Sequence, residues 1–209
     1  MKRLSKAYSR QVFLNCPFDE EFRPLYEAII FGTLACGFVV RCAREREDSG
    51  EPRIAKINDI IRDSKFGIHD ISRVELDPVN RLPRFNMPLE LGLFLGAKAF
   101  SSDVKQRDKR CLILDIESYR YQKFISDIAG QDIRAHHGDP LRALTETRQW
   151  LASVAKHQLP GTLEIKNAYA AFGRELPEIL ASLGLDRSDL RYAEFLKIVL
   201  GWLQEQASK

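Results

Sequence analysis

Glu90 is the side chain whose setting most asks for a chemical explanation. It lies in LPRFNMPLELGLFLGAK, residues 82–98, where between Phe85 and Ala97 only Asn86 is otherwise strongly polar. Apolar residues surround the helical wheel of this segment, so it reads as a helix buried on most sides, where an ionised carboxylate needs a partner or a purpose. Leu89, Leu91 and Leu93 would desolvate Glu90 and raise its pKa, whereas the positive end of its own helix favours the anion. A carboxylate balanced in this way suits work at an electron-poor sugar carbon, as nucleophile or as support for an oxocarbenium-like state. Asn86, four residues earlier, shares that helix face, although asparagine at a helix start is also a common cap. A purely structural reading stands beside the catalytic one: Glu90 would hold the guanidinium of Arg84 or Arg73, or cap backbone donors.

The elements that must position this residue follow from periodicity. QVFLNCP, residues 11–17, is an apolar run ending in a turn signal and reads as a buried strand. Asp19 can cap the next helix, whose inner face carries Phe22, Leu25, Tyr26, Ile29, Ile30 and Thr33 and which stops at Gly37. FVVRCA forms a second strand. A charged loop, REREDSGEP, leads into a helix from about Ile54, with Ile54, Ile57, Ile60 and Ile61 inward. FGIHDIS is a third strand, and a long connection with Pro78 and Pro83 delivers the chain to the Glu90 helix. RCLILDI is a fourth strand. A short helix around 121–129, a marginal fifth strand DIRAHH and a helix over 140–156 follow. Strands alternating with helices predict an α/β fold, a flavodoxin-like parallel sheet of about five strands flanked by helices. After LPG at 159–161 two helical segments remain, roughly 163–180 and 188–206, with Pro177 limiting the first. The expected division is an α/β domain over 1–158 and a C-terminal helical hairpin over 159–209.

Composition narrows the function classes. A chain of 209 residues with 44% hydrophobic content can build one sizeable core, alone or with a helical appendage. A net charge of +3, with both signs interleaved, argues against a concentrated nucleic-acid face. No long uncharged apolar run suggests a membrane span or signal peptide. Cys16, Cys36, Cys42 and Cys111 form no CxxC pair and lie in or beside apolar segments, as expected of free thiols in a reducing cytoplasm. The sequence calls for no metal.

In open parallel sheets ligands bind beyond the carboxyl ends of the strands, where strand order reverses. For a flavodoxin-like order this nominates the loops NCPFD and HDISR, and with them Asn15, Asp19, Asp70, Ser72 and Arg73. Asp70 would orient a ligand or cap the next loop. Arg73 and Arg84 could each fork onto a phosphate. His69 reads equally as a satisfied core residue, and Tyr119 and Tyr121 as packing aromatics. His136 and His137, on opposite faces of an extended segment, would not share a metal. No Walker or GxGxxG pattern is present, which argues against ATP-driven chemistry.

PLELGLFLGAK resembles the Glu-x-Gly motif that opens a buried helix in nucleoside 2-deoxyribosyltransferases and related nucleotide N-glycosidases. VFLNCPFDEEFRPLYEAI resembles the first strand and helix of the wider Toll/interleukin-1 receptor-like (TIR-like) group, many of whose bacterial members cleave NAD or make signals from it in antiphage defence. The resemblance covers about residues 11–150. It implies a flavodoxin-like sheet, Glu90 as the catalytic glutamate, Asp70 as an acid orienting sugar or base, and Asn15 and Phe18 where the first-strand loop meets a nucleotide. The small residues that usually precede the glutamate are replaced here by RFNMP.

Two expectations follow. One is an enzyme that binds NAD or a nucleotide as substrate, needs no other cofactor, and cleaves or exchanges its N-glycosidic bond; Glu90 and Asp70 would be catalytic, with Asn15, Phe18, Asp19, Ser72, Arg73, Arg84 and Asn86 around the ligand. The other is a non-catalytic sensor of a nucleotide signal, or a TIR-like adaptor that works by assembly through the glycine-bearing helix and the C-terminal helix pair. Both picture a cytoplasmic homo-oligomer.

Overall fold

A computed structural model describes residues 7–45, 48–76 and 79–208. Pro78, part of the charged loop and the basic start of the chain lie outside the described residues. The elements run β1 (Gln11–Asn15), α1 (Arg23–Ala35), β2 (Val39–Arg41), α2 (Arg53–Asp63), β3 (Phe66–Asp70), α3 (Asn86–Phe100), α4 (Val104–Arg107), β4 (Arg110–Asp115), β5 (Ile133–Ala135), α5 (Pro140–Val154), α6 (Thr162–Ser182) and α7 (Tyr192–Gln206). The five strands form one parallel sheet in the order β2-β1-β3-β4-β5. Val12 pairs with Val40 on one side and Phe66 on the other. Every residue of β1 and β3 is buried, which is why Val12 to Leu14 and Phe66 to Ile68 read as continuous apolar stretches rather than as alternating patterns.

Alternate strand residues feed two cores. Val12, Leu14, Phe66, Ile68, Leu112 and Leu114 join α1, α5, α6 and α7. On the opposite face Phe13 meets Ile57, Ile60, Ile61 and Phe94 of α2 and α3, and Ile113 meets Leu91 and Tyr121. The two C-terminal helices belong to the first of these cores. Phe31 of α1 has its ring centroid 5.4 Å from Phe172 and 6.0 Å from Trp202. Pro177 lies inside α6 without ending it; the bond lost is the one to the Gly173 carbonyl, on an exposed part of the helix.

Several local expectations change. Ile54 is 46% exposed, and Lys56 takes the buried place beside Ile57. Residues 120–123 and 126–128 form two short 3-10 turns instead of one helix. The largest difference concerns α3: Met87, Glu90, Leu91 and Phe94 are buried, whereas Leu89 is 56% and Phe100 90% exposed. Among the described residues, this helix is covered on one side only.

At the opposite end of the sheet from the α3 start, the buried Lys109 donates to the Ile61 carbonyl at 2.5 Å and to the Ser64 carbonyl. It thereby satisfies orphan acceptors where α2 ends, and its burial lowers its pKa to about 8.

Candidate functional site

The reversal of strand order lies between β1 and β3, so the rim beyond Asn15 and Asp70 is where this topology opens a crevice. A cavity of about 240 Å³ is found there. Cys16, Pro17 and Phe18 wall it from the β1 side, Ala43 and Arg44 from the end of β2, Arg53 from the start of α2, and Arg84, Asn86 and Glu90 from the start of α3. Of the residues singled out in the sequence, the structure therefore brings Glu90, Asn86, Arg84 and Phe18 together.

Glu90 is 6% exposed, and its Oε1 lies 3.7 Å from Arg53 Nη2. Burial pushes its carboxyl above the ordinary glutamate range, and the Arg53 guanidinium partly offsets this. Neither Arg84 nor Arg73 is the partner, which corrects that part of the structural reading. Arg84 turns to Asp19, 2.7 Å from its Oδ2, and Arg73 reaches Glu21 at 2.7 Å. Asn86 is the first residue of α3 and does not cap it; the N-cap position belongs to Phe85, which offers no side-chain bond. Pro52 likewise leaves α2 without a side-chain cap. Two helix N-termini without side-chain caps and the cations Arg44, Arg53 and Arg84 thus surround Glu90, the one buried carboxylate among the described residues of the cavity wall, an arrangement that attracts anions.

The other nominated residues hold the wall in place. Asn15 is buried and spends its amide on the protein, with Nδ2 3.1 Å from His69 Nδ1 and donating to the Met87 carbonyl at 2.9 Å. It therefore locks β1 to β3 and fixes the first turn of α3, three residues before Glu90. His69 is fully buried, and desolvation together with the charge of Lys109 lowers its pKa to about 3. Its ring stands edge-on to Phe94 at 4.9 Å, and a Cβ on Gly67 would come within 2.5 Å of its Nε2, so the glycine makes room for the imidazole. Asp19 caps the turn into α1 by accepting from the Phe22 N–H at 3.0 Å. Phe18 packs against Tyr26 at 5.4 Å and Tyr192 of α7 at 5.7 Å, while Arg44 covers its ring at 5.3 Å.

Asp70 stands behind this wall rather than in it. It is fully buried, and its Oδ1 accepts from the Ser72 N–H at 2.9 Å and the Ser72 hydroxyl at 2.5 Å. Its Oδ2 is 3.1 Å from His136 Nε2 but outside hydrogen-bond geometry. His136 accepts from the Gly138 N–H at Nδ1, 3.0 Å away, which leaves Nε2 as the ring nitrogen facing Asp70. Beside them Arg120 reaches Asp115 at 2.6 Å and the Ser72 carbonyl at 2.5 Å. Asp70, Ser72, Asp115, Arg120 and His136 thus form a buried network joining the carboxyl ends of β3, β4 and β5.

Sequence reasoning passed over Arg53 and Arg44. A signal for Arg53 was present: a cation in the first turn of a helix opposes the macrodipole, so it asks for a compensating anion. Cys16 also faces the cavity, yet burial and the nearby Asp70 raise its thiol well above the ordinary cysteine range, which leaves it a poor nucleophile. Among the described residues no group of three or more His, Cys, Asp or Glu side chains could hold a metal ion. No family model, curated protein or solved structure matches the chain.

Proposed function

We propose that the protein binds a nucleotide or NAD by its ribosyl phosphate and cleaves or exchanges the N-glycosidic bond. The observation that carries this reading is the buried Glu90, 3.7 Å from Arg53, in a cavity whose other described walls are cations, apolar groups and the neutral Asn86. The cavity, about 240 Å³, is smaller than the roughly 300–1,000 Å³ of drug-sized ligand sites. It suits a sugar phosphate, with the base toward solvent.

In this reading Arg84 and Arg44 meet phosphate oxygens, and Phe18 backs the sugar. As the C1–N bond breaks, its electron pair leaves with the base, and the Glu90 carboxylate stabilises the positive charge developing at C1. Water or an acceptor base then adds at C1 and gives up its proton to solvent or to the departing base. Arg53 favours the ionised form of Glu90 and partly offsets its desolvation. Asp70 supports the β3 end of the site instead of touching sugar hydroxyls. The four free thiols suit a reducing cytoplasm.

Incubation of wild type and Glu90→Gln with NAD, nucleoside monophosphates and nucleosides, read by chromatographic release of free base, tests the proposal. Release by wild type and at least about a 100-fold loss in the variant is expected for removing charge stabilisation at the reacting carbon. A second reading draws on Asp70 and Asn15: with both committed to internal partners, Glu90 is the one carboxylate among the described residues of the cavity wall. Such a site would bind the same nucleotides as a sensor, with tight binding in equilibrium dialysis and no base released by either chain.

A further inference from the structure

A second and larger cavity, about 480 Å³, lies between α1, α5 and α6, within the roughly 300–1,000 Å³ range of small-molecule sites. Its walls are mainly apolar. Tyr169, Phe172, Leu176 and Leu180 recur every three or four residues along α6 and so share one helix face, and Glu27 closes the α1 side. Arg187, in the connection between α6 and α7, stands at the edge with its side chain 46% exposed.

Glu27 is hard to explain as packing. It is 5% exposed, in a run from Leu25 to Leu34 where Tyr26 and Thr33 are the only other polar side chains. Its Oε2 accepts from Arg187 Nη2 at 2.5 Å, but its Oε1 has no hydrogen-bond partner among the described residues. Burial pushes the carboxyl above the ordinary glutamate range in spite of Arg187, so an arginine at the edge does not fully offset the desolvation. A buried carboxylate oxygen without a donor is costly, and the cavity beside it is where a donor can enter.

The same walls carry a second acceptor. Pro177 has no N–H to give the Gly173 carbonyl, and both residues line the cavity. Tyr169 adds an aromatic ring; burial and the charge of Glu27 raise its phenol to about 12, so it stays neutral. These walls call for a positively charged donor on an apolar body. We propose that the cavity binds a small organic amine, its ammonium donating to Glu27 Oε1 and its apolar part lying against Phe172, Leu176 and Leu180. The ammonium brings three donors to a wall of acceptors, and the Tyr169 ring also favours a cation. An anion drawn to Arg187 would face the charge of Glu27. The site is independent of any chemistry at Glu90.

Titration calorimetry with tryptamine, its neutral isostere tryptophol and the anionic indole-3-propionate tests the proposal on the full chain. Tryptamine should bind one to one with a Kd of about 1 mM or tighter, and the two analogues at least about tenfold more weakly. Glu27→Gln should remove that preference, weakening tryptamine at least about tenfold and leaving tryptophol unchanged. Gly173→Leu tests the cavity without touching the ion pair: a Cβ on Gly173 meets nothing within 4 Å, and leucine favours the helix, so the variant should melt no lower than wild type while losing tryptamine binding. Glu90→Gln should bind tryptamine as wild type does, which separates the two cavities. Wild type that does not bind tryptamine, equal binding of the neutral or anionic analogue, loss of binding in Glu90→Gln, or a Gly173→Leu chain that binds like wild type would each overturn the inference.

Discussion

Acid should unfold this protein partly through one histidine. His69 has no route to water in the folded state, and burial with the nearby Lys109 lowers its pKa to about 3 against an ordinary 6.5. The folded chain therefore keeps the ring neutral, while the unfolded chain protonates it as pH falls below about 6.5. The sign follows: His69 costs nothing above that value, and stability is lost progressively as pH drops from about 6.5 toward 3. At pH 5.0 the unfolded state holds about thirty protonated rings for each neutral one, a preference of about 2 kcal/mol. Glutamine at position 69 removes the titration and keeps an acceptor for Asn15. Urea denaturation of wild type and His69→Gln at pH 7.5 and pH 5.0 isolates the effect, since other titrating groups cancel in the difference. Wild type should lose about 2 kcal/mol more than the variant between the two conditions. Equal losses, or a folded-state His69 that titrates near 6.5 by NMR, would refute the reasoning.

Other outcomes follow from the same structure. Arg53→Gln removes the charge that opposes desolvation of Glu90, so the acid limb of kcat/KM should move to higher pH, and nucleotide affinity measured by calorimetry should fall about tenfold. Burial raises the thiols of Cys36 and Cys42 to about 12 and Cys111 to about 11, so the unfolded chain ionises first. Stability carried by these groups is complete below about pH 8.5 and is lost as pH rises through the folded values, and replacing all three by alanine should flatten the alkaline fall of the urea midpoint. Phe172→Ala should cost about 3–5 kcal/mol in a single cooperative transition, because Phe172 packs on Phe31 and Trp202 in the core shared by α1, α6 and α7. A separate low-temperature transition for the C-terminal helices would contradict that.

The sheet was legible because its central strands are buried on both faces, and such strands write themselves as unbroken apolar runs bounded by turns. The VFL of QVFLN and the FGI of FGIHD are of this kind, RCLILD is buried from Leu112 onward, and the helical segments between them leave a parallel sheet as the simplest arrangement. What misled was the equation of apolar with buried. Leu89 and Phe100 follow a helical pattern as regular as that of Leu91 and Phe94, but composition alone does not say which face of a helix lacks a neighbour. Glu90 was readable because a carboxylate among leucines is costly wherever the chain places it. Its partner was not, since Arg53 reaches it from α2, 37 residues away in sequence, through a rotamer and a crossing that only tertiary structure sets. Asp70 shows the converse limit. An acid at a strand end is found by topology, yet whether it turns to the cleft or to the backbone of the next loop depended on Ser72, two residues on. Arg44 was hidden in a loop whose charges looked like solvated surface.

The most direct trial of the account is single-turnover chemistry at the cavity. Stoichiometric protein at high concentration would be mixed with NAD or a nucleoside monophosphate, and base and ribosyl products quantified beside ligand binding for wild type and Glu90→Gln. The account predicts that both chains bind the nucleotide and that only wild type breaks its glycosidic bond. Equal product from both, or a wild-type protein that neither binds nor cleaves any of these nucleotides, would contradict it.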